Sequence, residues 1–80
     1  MEEDLTMLIL EMQNSSGMNL TQINAFLLLV WQYITQGRSG GIDTLFANLN
    51  NSLYNDAWSL YEEQLNALDI NQLGWYVNPH

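Results

Sequence analysis

Residues Ala25 to Trp31 read AFLLLVW, seven apolar side chains in a row, with Ile23 before them and Tyr33 and Ile34 after. As a helix this segment is oily on every face: Ile23, Phe26, Leu27, Val30 and Ile34 share one side, and Ala25, Leu28 and Leu29 the opposite one. Seven residues fall far short of the roughly 20 that cross a bilayer, so the segment belongs inside protein, and a helix hydrophobic all round is an interior one. Asn19 or Thr21 suits the N-cap, and Gly37 stands where a C-terminal glycine belongs. The segment thus predicts a central buried helix over residues 21–36, which at 1.5 Å per residue spans about 24 Å.

The flanking segments supply partners for that helix. Glu2, Glu3 and Asp4 form an acidic first turn that suits a helix N-terminus. Leu5, Leu8, Ile9 and Met12 then recur at helical spacing while Met7 and Leu10 fall on another side, so a first helix over about residues 4–14 is apolar on two faces. Gly17 in NSSG is placed to end it. The linker GRSGG (Gly37–Gly41) precedes Asp43, an expected N-cap, with Ile42 as a hydrophobic staple. From Thr44 to Leu73 there is no Gly or Pro, and Phe46, Leu49, Leu53, Ala57, Leu60 and Leu68 keep helical phase as a core stripe. Asn48, Asn50, Asn51, Ser52 and Asn55 prefer caps and turns, which predicts a break near residues 50–55 and helices at about 43–50 and 54–68. Gly74 is expected as a helix stop, and Pro79 bars further helix. The fold class is all-α: a compact bundle of about four helices in a single domain, residues 1–80.

Charge narrows the partners. Nine acids face the lone Arg38, with no lysine, for a net charge of −8. Binding to phosphate backbones needs several cationic side chains, and anionic lipid surfaces make the same demand, so direct nucleic-acid binding and membrane association are not expected. Basic partners are favoured, since opposite charge accelerates encounter. MEEDL is not the positively charged start of a signal peptide, which points to a cytoplasmic location. The sequons at Asn14 and Asn19 are read as chance matches.

Reactive groups are sparse. With no cysteine or lysine, and with His80 as the sole histidine at the chain's end, thiol, Schiff-base and zinc chemistry lack their residues. Glu62 and Glu63 are neighbours and point about 100° apart on a helix, a poor arrangement for a shared acid/base or metal site. No phosphate loop, EF-hand or dinucleotide fingerprint occurs. The expectation is a protein that is not an enzyme and carries no cofactor or metal.

Two features remain as candidates for recognition. Tyr54, Trp58, Tyr61 and Leu65 form an aromatic stripe at i, i+4, i+7 and i+11 beside the core stripe, and Tyr and Trp are common interface anchors. Alternatively, a small bundle wraps both stripes. The second feature is apolar surplus, which a protein partner or self-association would cover. The expected function is a small acidic protein-binding module, an adaptor or inhibitor that docks through Tyr54, Trp58, Tyr61 and Leu65, with Glu62, Glu63 and Asp69 steering a basic partner, and that forms homo-oligomers. One alternative is a short nucleic-acid mimic of the kind phages and mobile elements encode. A faithful mimic about 30 Å long would display on the order of 18 charges, so nine acids suit only a short one. Another alternative is a phage-type assembly component.

Overall fold

Three rings meet at the centre of the molecule. Phe26 stacks on Phe46 with centroids 5.6 Å apart, and Tyr54 tilts against both at 5.7 and 5.9 Å. They come from three parts of a computed structural model that describes residues 3–37, 41, 42, 44, 46 and 52–78. The elements are α1 (Glu3–Ser15), α2 (Leu20–Thr35), α3 (Ser52–Ala67) and α4 (Ile70–Val77). Between α2 and α3, Ile42, Thr44 and Phe46 are also helical, and no strand occurs among the described residues. The all-α bundle expected from the sequence is the observed architecture, and its radius of gyration, 11.7 Å, is close to the roughly 12 Å of a well-packed chain this long.

Local chemistry sets the helix ends. Gly17, at φ 66°, lets the Met18 N–H turn back to the Met12 carbonyl at 3.3 Å, which closes the end of α1 through a left-handed glycine. Asn19 then caps α2: its side chain accepts from the Gln22 N–H at 2.8 Å, and the Gln22 side chain accepts from the Asn19 N–H at 3.0 Å. This reciprocal box satisfies two amides that the first helical turn leaves unpaired. Gly37, at φ 73°, closes the other end, its N–H bonding the Ile34 carbonyl at 3.1 Å. Asp69 caps α4 by accepting from the Asn71 N–H at 2.9 Å.

Helix α2 is the shared partner of the rest. It packs on α1 and α4, meets α3 and Phe46 through Phe26, and sets Tyr33 edge-on to Trp58 at 5.8 Å and 82°. Its buried stripe is Ile23, Phe26, Leu27 and Val30. The rod is not sealed all round, however. Leu28, Leu29, Trp31, Tyr33 and Ile34 are half-buried and Ala25 is exposed, because a bundle this small has too few neighbours to enclose a sixteen-residue helix on every side.

Three expectations need correction. First, the buried face of α3 is Tyr54, Ala57, Trp58, Tyr61 and Leu65, whereas Leu60, expected in the core, is 64% exposed. The two stripes lie side by side, and the one carrying three aromatic rings removes more apolar area from water. Second, Gly74 does not stop a helix: α4 continues through it to Val77 and ends at the Asn78 cap. Third, Ile42 is buried and already helical, so helix begins before the cap expected at Asp43. Asp43 and the Leu49 position of the stripe are outside the described residues, as are Arg38, Pro79 and His80. The break expected near residues 50–55 falls partly outside the described residues, since 50 and 51 are not described, and the helix expected over about 54–68 runs from Ser52 to Ala67.

Candidate functional site

The stripe marked for docking faces inward. Tyr54, Trp58, Tyr61 and Leu65 are all buried, and the Tyr61 hydroxyl shares a hydrogen bond with the Ser16 hydroxyl at 2.8 Å, pinning the α1–α2 turn to α3. These side chains hold the bundle together, while Leu60 of the neighbouring stripe stays outside. Their substitution would disturb the core before it disturbed any interface. Glu62 and Glu63 are exposed and both border a shallow depression on the outer side of α3, together with Ser59 and Leu60. Asp69 is exposed, but its carboxylate is engaged as the cap of α4.

The apolar surplus emerges elsewhere. On α1, Leu5, Leu8 and Met12 enter the core, while Met7 is 62% and Leu10 46% exposed. The second apolar face of this helix therefore has no neighbour to cover it. It forms one wall of a groove of about 750 Å³ with Met7, Leu10, Glu11 and Asn14, and the other wall is Gln64 and Ala67 of α3 with Leu68 just beyond it. Gln64 also borders the depression that holds Glu62 and Glu63, so the groove opens onto acidic surface along α3.

A second cleft, of about 650 Å³, lies between α2 and α4, where Trp31, Thr35, Ile70, Gly74 and Trp75 line it. Trp75 is 66% exposed there. Beside it, the Tyr76 hydroxyl hydrogen-bonds the Asn24 side-chain oxygen and ties α4 to the start of α2. Burial pushes the Tyr76 phenol above its ordinary value, because the phenolate would lose hydration.

The chain matches no protein-family model, no curated protein and no solved structure. Function must therefore be argued from these surfaces. Among the described residues, no group of three or more His, Asp or Glu side chains is placed to hold a metal ion, and no helix is long and apolar enough to cross a membrane. The sequence signal for the α1 wall is visible in the spacing of Met7 and Leu10 on the far side from Leu5, Leu8 and Met12. The α3 wall carries no such signal, since Gln64 and Ala67 are unremarkable until the tertiary fold brings them opposite α1.

Proposed function

We propose that this chain is a small, non-enzymatic protein-binding module that docks a partner carrying basic residues in the groove between α1 and α3. The observation that carries the proposal is the exposure of Met7 and Leu10 on a helix whose opposite face is fully engaged in the core. Exposed apolar side chains that line a shared concave surface are a common mark of an interaction site. The partner's charge follows from nine acids against one arginine, with Glu11 in the groove wall.

Leu10→Glu tests the proposal, because a charge at this exposed position spoils docking while costing the fold no more than about 0.5 kcal/mol. Tagged wild type and Leu10→Glu, shown by circular dichroism to be equally folded, are used to capture proteins from the source organism, and the captured proteins are quantified by mass spectrometry. A protein enriched at least about tenfold by wild type over the variant supports the groove, this factor being about 1.4 kcal/mol of binding. Identical capture by the two overturns it.

Self-association is supported by the other cleft. A chain of charge −8 repels its own copies, and the surface around Trp75, Trp31 and Ile70 is lined by uncharged residues. We propose that copies pair there. Analytical ultracentrifugation of wild type and Trp75→Ala checks this: a dimer weakened by the substitution is expected, and a wild type that stays monomeric at high concentration rules it out.

A further inference from the structure

The geometry points to a cationic amphipathic α-helix as the occupant of the α1/α3 groove, an inference that rests on the docking role proposed above and specifies its partner. Met7, Leu10, Glu11 and Asn14 stand at i, i+3, i+4 and i+7, so the α1 wall is one continuous helical stripe about 10 Å long. Gln64, Ala67 and Leu68 give the facing wall the spacing i, i+3 and i+4. A gap bounded on both sides by helical ridges is filled by a third helix whose own ridges interleave with them, and such a helix presents apolar residues at i, i+3, i+4 and i+7. Strand addition is not open to a partner here, since the described residues contain no strand to pair with. The groove's volume, about 750 Å³, is that of a site able to enclose several side chains.

Charge selects among amphipathic helices. Glu11 stands in the wall, and Glu63 borders the adjoining depression that shares Gln64 with the groove. A helix whose apolar stripe is flanked by Lys or Arg lays cations over this rim, whereas one flanked by carboxylates meets like charge and is rejected. The chain supplies almost no cations of its own to compete for that rim, having one Arg and no Lys.

The test is a titration of the isotope-labelled full chain, followed by NMR, with a synthetic helix of about four turns that carries Leu at i, i+3, i+4 and i+7 and Lys on its flanks. Two further peptides serve as probes, one with Glu in place of Lys and one with the same composition scrambled to destroy the apolar stripe. The Lys helix is expected to shift the amide signals of Met7, Leu10, Gln64 and Ala67 saturably. It should bind at least about tenfold tighter than either other peptide and weaken several-fold between about 50 and about 500 mM NaCl. Glu11→Gln combined with Glu63→Gln should reduce its affinity with the helical content of the chain unchanged. Equal binding of the scrambled peptide shows charge attraction without a seated helix and overturns the inference. Equal or tighter binding of the Glu helix overturns the cationic partner. Failure of every peptide, with Leu10→Glu still releasing a captured protein, overturns the helical occupant and leaves the docking role standing. Failure of the peptides and of the Leu10→Glu contrast removes both.

Discussion

Gly74 lies against the indole of Trp31 so closely that a Cβ built on it would stand 3.0 Å from Nε1. A glycine in the last helix thus acts through the room it leaves, since it lets α4 approach α2. Gly74→Ala brings two opposed effects: about 1 kcal/mol of gained helix propensity and an overpacking cost of typically about 1–3 kcal/mol. The Trp31 ring lines an open cleft and has somewhere to move, so the net destabilisation should stay below about 1 kcal/mol. In a Trp31→Ala background the clash is gone, and Gly74→Ala should stabilise by about 1 kcal/mol. A double-mutant cycle from urea melts checks the change of sign.

The Phe26, Phe46 and Tyr54 rings join α2, α3 and the segment between them, and the two Phe side chains are fully buried. Phe26→Ala should cost about 3–5 kcal/mol, a large share of the roughly 5–15 kcal/mol that holds a typical domain together. Phe26→Leu, which keeps most of the volume, should remain folded with a smaller loss. Chemical denaturation of both variants measures the difference, and a Phe26→Leu variant as stable as wild type would show that the ring cluster contributes nothing beyond bulk.

The Ser16–Tyr61 hydrogen bond ties the turn after α1 to α3. Tyr61→Phe should cost about 1 kcal/mol, because the ring stays packed while Ser16 loses its partner. Adding Ser16→Ala should cost less than the sum of the two single changes. Strict additivity in denaturant melts would mean that the hydroxyls do not interact.

Tyr76 makes stability depend on alkaline pH. Its folded-state value lies above the ordinary 10.0 because burial disfavours the phenolate, so the folded chain holds this proton more tightly than the unfolded one. The resulting stabilisation is fully present below pH 10 and is lost as pH rises through the raised folded value. Tyr76→Phe should therefore be less stable than wild type at neutral pH, by about 1 kcal/mol for the lost bond to Asn24, and the gap should narrow above pH 10. Urea midpoints of the two proteins at pH 7 and pH 11 report this, and a gap that widens in alkali would contradict the sign.

Much of the architecture was legible in the chain because helix ends and apolar periods are local properties. Gly17, Asn19 and Gly37 mark their boundaries through backbone conformations and capping bonds formed within a few residues. The inward stripe of α2 and the two-faced character of α1 likewise follow from a 3.6-residue period. The candidate groove was less legible. Tyr54, Trp58, Tyr61 and Leu65 share one helical stripe by their spacing, but spacing cannot say which of two adjacent stripes turns inward.

What the linear order determined by itself was the helical class, the ends of α1 and α2, and the acidic charge balance, since each depends on composition or on neighbours a turn away. Tertiary structure alone decided that α3 turns its aromatic rings inward and leaves Leu60 outside, that Gly74 serves close packing against Trp31, and that Met7 and Leu10 face Gln64 and Ala67 across an open groove. Those outcomes depend on which helix covers which face, and burial is a property of the assembled bundle that no single segment carries.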